Sequence, residues 1–270
     1  MKGRVLIVAG SDSGGGAGIQ ADIKTVTALG GYAATAITAL TAQNTVDVYG
    51  VVPVEASFVR QQMEVVLSDI GADCVKTGML RNAEVIETLC ETLDRCAPDI
   101  PIVVDPILRS SSGVELLDGM AIDALKRVLL LRATVVTPNI PEAEALTGMT
   151  VRDVDDMRRV ADMLVTLGAK HVVVKGGHLD GDIMRDFVAD EDGGYVIQSP
   201  RVDSRHTHGT GCTLASAIAT GLAQGMAIRP AIERARRYLM VALANAPGYG
   251  KGHGPLDHAH TMRVAEWGAE

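Results

Sequence analysis

Aromatic side chains are scarce. Two Phe, five Tyr and one Trp make up 3% of a chain in which 47% of the residues are hydrophobic. A core must then come from Ala, Val, Leu and Ile, as is usual where helices pack on a parallel sheet. Basic charge is short too. Against 33 Asp and Glu stand 25 Lys and Arg, a formal net charge of −8 with no Lys/Arg-rich run to offset it. That balance argues against a nucleic-acid partner. No apolar run approaches the ~20 residues of a membrane-spanning helix. A strand is expected within the first few residues, with no charged-then-apolar leader before it. The four cysteines, Cys74, Cys90, Cys96 and Cys212, lack paired metal spacing and read as reduced thiols of a cytoplasmic protein. Two phosphate-binding signatures are also missing. The glycines of 10–18 break G-x-G-x-x-G because position 19 is Ile, and G-x-x-x-x-G-K-[ST] does not occur. Neither a dinucleotide fingerprint nor a Walker-type NTPase is supported.

What remains is alternation. Short apolar runs at 5–9, 32–40, 72–76, 102–104, 134–137 and 171–174 read as strands. Helical spacing separates them, over 56–68, 82–96, 120–131, 143–146 and 154–167 among others. Residues 46–54 suit an edge ribbon, and 184–189 with 195–199 suit a β-hairpin around Asp190–Gly194. The tail from Pro247 is rich in Gly, Pro and His and reads as irregular. The expected fold is α/β: three layers, with a mostly parallel central sheet and helices on both faces. With no repeat, linker or low-complexity tract, residues 1–270 read as a single domain.

In such folds ligands sit at the carboxyl ends of the strands. Asp105, Asn139, Glu142 and Lys175 all fall there, with the Gly-rich stretch 10–18 and the turn at 209–212. Ser110, Ser111, Ser112 and Gly113 read as a loop after the strand at 102–104. The strongest feature is His206-Thr-His-Gly-Thr-Gly-Cys-Thr213, which runs into a small-residue helix over 214–224. Gly209, Thr210 and Gly211 turn the chain into a helix whose first N–H groups are unpaired, forming a seat for an anion. Cys212 lies in that first turn, where a thiol pKa is expected to be lowered. Two glycine-rich seats, acidic groups and a lysine suit a polyphosphate–metal complex and phosphoryl transfer. Asp105 and Glu142 are candidates to hold Mg²⁺, directly or through water. Gln43 and Asn44 reach either a pocket rim or solvent. His206-x-His208 and His258-x-His260 are poor zinc signals. The first pair reads as part of the turn near the phosphates, and the second as solvated.

Six stretches together resemble the hydroxymethylpyrimidine/phosphomethylpyrimidine kinases of thiamine biosynthesis, members of the ribokinase-like superfamily. They are GSDSGGGAGIQADIKT at 10–25, TALTAQNT at 38–45, KTGML at 76–80, TPNIPEA at 137–143, VKGGH at 174–178 and HTHGTGCT at 206–213. The resemblance runs nearly end to end. It implies two successive phosphorylations, dependent on ATP and Mg²⁺, first of 4-amino-5-hydroxymethyl-2-methylpyrimidine and then of its monophosphate. It implies a pyrimidine pocket lined by Gly10, Asp22, Gln43, Met79 and Ile107. It assigns Asn139 and Glu142 to an N-x-x-E metal–phosphate motif and Lys175 to ATP. The anion hole and the general-base position fall on Gly209, Thr210, Gly211 and Cys212. Much of the superfamily has Asp at that last position, and Cys is usual in this branch. A homodimer is compatible with the resemblance. Two other readings compete: a pyridoxal or pyridoxine kinase, and a cysteine-nucleophile hydrolase or transferase built on Cys212, which leaves the 10–18 loop and the 139–142 motif without a role. Nothing in the sequence supports a non-catalytic nucleotide-binding regulator.

Overall fold

Among the described residues of the computed structural model, nine strands form one sheet, in the order β3-β2-β1-β4-β5-β6-β7-β8-β9. Residues 2–109, 113, 117, 119–177, 179 and 181–262 are described. The expected features at Ser110, Ser111, Ser112 and His178 lie outside them. The centre of the sheet is parallel: β1 (Arg4–Asp12) pairs with β2 (Tyr32–Gln43) and β4 (Cys74–Thr77). Then β5 (Ile102–Val104), β6 (Val135–Val136) and β7 (His171–Val174) follow in the same direction. Antiparallel strands close both sides, β3 (Val48–Pro53) at one edge and the hairpin β8 (Ile183–Asp190) with β9 (Gly193–Pro200) at the other.

Period-two alternation sends the apolar side chains of β1 to two separate cores. Leu6 and Val8 join Val75, Val104 and Val136 on the face covered by α2 (Ala56–Asp69), α3 (Ala83–Cys96) and α6 (Val154–Thr166). Val5, Ile7 and Ala9 join Val103, Val135 and Val173 on the opposite face. There they pack under α1 (Gly18–Ala28), α7 (Thr210–Ala223) and α8 (Ile228–Ala244). A buried Val, Leu or Ile contributes roughly 1.5–3 kcal/mol, so these two layers dominate the fold's stability. Helices α3 and α6 start where the sequence supplies a cap. Asn82 accepts from Val85 N, and Asp153 from Asp156 N. The expected helix over 120–131 is shorter and irregular: α4 (Gly119–Ala124) gives way to a π-turn at Leu125–Leu129 and a 3-10 turn at Leu130–Arg132.

Two expectations change here. Strand β1 does not stop at Ala9. It continues through a bulge to Asp12, pairing with Leu40 and Thr41 of β2, so the glycine-rich stretch begins as sheet. The tail histidines are not solvated either. His258 is 4% exposed, its Nε2 lies 2.9 Å from Thr213 Oγ1, and its carbonyl accepts from the Tyr238 hydroxyl. The His260 ring packs at a tilt against Tyr238, with ring centroids 4.6 Å apart. The segment is irregular in conformation yet packed, because Thr213 and Tyr238 offer it partners on α7 and α8.

Burial holds the His258 imidazole down to about 4, whereas an unfolded histidine titrates near 6.5. Between those values the unfolded chain binds a proton that the folded chain refuses, so stability falls as pH is lowered through this window. His258 accounts for up to about 3 kcal/mol of that loss. His258→Gln is expected to flatten this part of the profile in urea unfolding between about pH 7 and 4. An unchanged profile would remove His258 from the account.

Candidate active site

A cavity of about 660 Å³ opens at the carboxyl ends of β1, β4, β5 and β7, over the N-terminus of α7. Its first wall is a pair of interlocked turns. Gly209 caps α7 at φ 83°, and a Cβ there would overlap the Gly16 carbonyl. The turn at 206–209 is thereby pressed onto the 12–18 loop. Asp12 organises that loop: Oδ1 accepts from Gly14 N at 2.8 Å, and Oδ2 from Gly16 N at 3.0 Å and Ala17 N at 2.8 Å. His208 Nε2 adds a contact at 2.8 Å. Burial alone would raise the Asp12 carboxyl, but His208 and the backbone donors hold it below the usual carboxylate range. His208, read from the sequence as part of the turn, is thus a bridge between the two glycine segments.

The second wall carries charge. Asp105, just past β5, is 1% exposed. Its Oδ1 accepts from Thr137 Oγ1 at 3.2 Å and Lys175 Nζ at 3.1 Å. Its Oδ2 is buried without a hydrogen-bond partner and borders the cavity. Asn139 and Glu142 form the capping box of α5 (Ile140–Thr147). Asn139 Oδ1 takes the Glu142 N–H at 2.8 Å, and Glu142 Oε2 takes the Asn139 N–H at 2.7 Å. The N-x-x-E spacing is therefore a helix start as well as a charge site. Glu142 Oε2 also lies 3.8 Å from Lys175 Nζ. Burial pushes the Glu142 carboxyl up to about 7, against Lys175 and with help from Asp105. Lys175 moves the opposite way from an ordinary buried amine: burial would lower it, but Asp105 and Glu142 outweigh that and raise it. The ammonium is held charged. An orphaned carboxylate oxygen with a second carboxylate nearby fits a hydrated Mg²⁺, which takes few protein ligands. Among the described residues no group of three His, Cys, Asp or Glu forms a fuller metal cage.

The third wall is apolar with one amide. Met79 and Ala39 cluster with Val51 and Ile107, and Gly10 lies so close that a Cβ would overlap Met79 Cε. Gln43 ends β2, within 3.4 Å of His208 Nε2, and lines the cavity with Met79 and Ile107. Gly209, Thr210, Gly211 and Cys212 border the same space.

Two expected site residues behave differently. Asp22 does not line the pocket. It is fully buried on α1, with both oxygens 2.8 Å from Lys76 Nζ and Oδ1 accepting from Ser216 Oγ at 2.7 Å. Cys212 stands at the first turn of α7, but its thiol is not lowered. Burial pushes it up to about 12, and Lys76 opposes that only in part. Desolvation of the sulfur outweighs the helix terminus.

Sequence reading missed Asp12, Asp186 and Arg236 as members of the site, and Lys76 buried beneath it. Asp186 and Arg236 form a buried pair at 3.0 Å on the cavity's far side, and Asp186 also accepts from Gly176 N at 2.9 Å. A readable signal existed for Lys76 alone, as a charged residue inside the apolar strand Cys74-Val-Lys-Thr77.

A phosphomethylpyrimidine kinase family profile matches residues 12–257. The chain belongs to that family. It is 44% identical over 256 residues to a hydroxymethylpyrimidine/phosphomethylpyrimidine kinase of Bacillus subtilis (strain 168), covering 94% of each chain. It is 48% identical to the Streptomyces coelicolor protein of the same name, over 96% of this chain and 95% of that one. A thiamine biosynthesis bifunctional protein of Geobacter sulfurreducens is 51% identical across 95% of this chain, which spans about half of that protein (52%). Among solved structures, the phosphomethylpyrimidine kinase of Clostridium difficile 630 superposes with a TM-score of 0.79 at 41% identity, covering 88% of this chain and 98% of that one. The Staphylococcus aureus pyridoxal kinase in complex with ADP superposes with a TM-score of 0.90 at 34% identity, covering 98% and 96%. As a phosphomethylpyrimidine kinase family member the chain has a ribokinase-like α/β fold, and no described helix is long and apolar enough to cross a membrane.

Proposed function

We propose that this chain transfers the γ-phosphoryl group of ATP to the hydroxymethyl oxygen of 4-amino-5-hydroxymethyl-2-methylpyrimidine, and then phosphorylates the monophosphate to the diphosphate. One observation carries the reading: the α7 anion seat, the Asp105–Lys175 charge pair and the Gln43–Met79–Ile107 surface open on a single cavity. The pyrimidine ring would lie against Met79 and Ile107, with its amino and ring-nitrogen edge toward the Gln43 amide. The N–H groups of Gly211 and Cys212 lack helical partners at this end and would receive the phosphoryl oxygens. Lys175 would balance their charge. Asp105, with Glu142 through water, would hold Mg²⁺, whose charge neutralises the phosphates when bound. The substrate oxygen would attack phosphorus, the bond to the ADP oxygen would break, and the hydroxyl proton would pass to Cys212 in its thiolate form. The reading treats residues 1–270 as one cytoplasmic kinase domain and admits a homodimer.

A pyridoxal kinase is the second reading, supported by the closer superposition of the Staphylococcus aureus pyridoxal kinase. ADP release with pyrimidine, its monophosphate and pyridoxal separates the two. Turnover with both pyrimidines is expected, and turnover with pyridoxal alone would overturn the assignment.

Gln43→Leu is expected to leave a buried pyrimidine group unpaired and weaken substrate binding by about 1–3 kcal/mol. The apparent substrate affinity checks this, with the ATP affinity as control. An unchanged value places Gln43 outside the pocket's contacts.

A further inference from the structure

Lys76 and Asp22 form an ion pair with 0% side-chain exposure, between the middle of the sheet and α1. Such a pair is a poor source of stability, since desolving two charges costs about what their attraction returns. Its position is more informative. Ser216, which donates to Asp22, lies one turn after Cys212 on α7, so the two side chains project to the same face of that helix. Gly78 borders the cavity, and a Cβ built there would stand 3.1 Å from Lys76 Nζ. The ammonium therefore lies directly beneath the cavity floor, on the side of α7 that carries Cys212.

We propose that the Asp22–Lys76 pair is a positioning device for Cys212: a water-shielded positive charge, anchored to α7 through Ser216, that lets the sulfur bear negative charge. Asp22 fixes where the Lys76 charge sits, while Asp105 and Cys212 also favour the protonated amine, so the charge persists without Asp22. The groups acting on the thiol are Lys76 from β4, Asp22 from α1, Asp105 after β5 and Lys175 after β7, with the Gly18 N–H as a local donor. The cations favour the thiolate and the carboxylates oppose it, so the two members of the pair pull in opposite directions. The kinase reading enters in one respect, that Cys212 faces the substrate hydroxyl.

The test reads the thiol without substrate. In a Cys96→Ser background, which removes the exposed cysteine, Cys212 is alkylated with iodoacetamide at about pH 8 and followed by peptide mass spectrometry. Lys76→Met is expected to slow alkylation about tenfold, the equivalent of one pKa unit. Asp22→Asn is expected to accelerate it, although both variants lower Tm. The double variant Lys76→Met/Asp22→Asn, which buries no lone charge, is expected to recover Tm while its alkylation stays below wild type. In turnover, Lys76→Met is expected to lower kcat with the KM for ATP unchanged. Single variants that shift reactivity in the same direction would overturn the proposal, as loosened packing does that. A double variant that recovers wild-type reactivity together with Tm would overturn it too. Opposite responses in a chain that phosphorylates neither pyrimidine would sustain this proposal and defeat the functional reading.

Discussion

Gly211→Ala is expected to lower kcat/KM by about 10²–10³ while leaving Tm unchanged or slightly raised. Gly211 is the second residue of α7, and no left-handed backbone is required of it. Alanine is favoured over glycine inside a helix by up to about 1 kcal/mol, which offsets the small shift that the Lys175 ammonium, at the end of a flexible side chain, must make for the methyl. The added methyl would stand 3.1 Å from Lys175 Nζ and 3.3 Å from Asp105 Oδ2. That is where the phosphoryl oxygens would have to lie. Differential scanning calorimetry beside steady-state kinetics separates the two effects. Full activity in a folded variant would show that the phosphoryl group does not use this seat.

Cys212→Ala is expected to reduce kcat by about 10²–10⁴, the usual cost of losing a general base, with ATP binding retained. Burial holds the thiol up to about 12, so its thiolate fraction grows about tenfold per pH unit through the neutral range. Wild-type kcat is therefore expected to rise with pH between about 7 and 9, and the alanine variant to lose that slope. A substrate-derived adduct on Cys212, with no ATP consumed, would instead establish a nucleophile and defeat the kinase account. Intact-protein mass spectrometry during turnover reads it directly.

The layers of this fold are legible because buried parallel strands are uniformly apolar. Ile102–Val104 and His171–Val174 stand at their expected ends for that reason. Limits that depend on pairing are not legible. Gly10, Ser11 and Asp12 look like loop, and only the bulged register against β2 makes them strand. The site shows the same division. Glycines, Asp105, Asn139, Glu142 and Lys175 announce themselves by lying just past strand ends, a position that topology turns into proximity. Asp22 and Lys76 could not be placed that way. They are 54 residues apart in sequence, and nothing local says that the carboxylate is spent on the lysine instead of facing the pocket. The Cys212 thiol was misjudged for a related reason. A helix N-terminus is visible in sequence, but the burial that outweighs it is a property of the packed structure. His258 was hidden likewise, its partners Thr213 and Tyr238 lying on two other helices.

The central claim is sequential phosphorylation of one pyrimidine in this cavity, and product analysis tests it most directly. Purified protein is given ATP, Mg²⁺ and 4-amino-5-hydroxymethyl-2-methylpyrimidine, and products are resolved by chromatography and mass over time. The account predicts that the monophosphate appears first and then declines as the diphosphate accumulates, with one ADP formed at each step. Pyrimidine left unphosphorylated under conditions where the same preparation phosphorylates pyridoxal would contradict it.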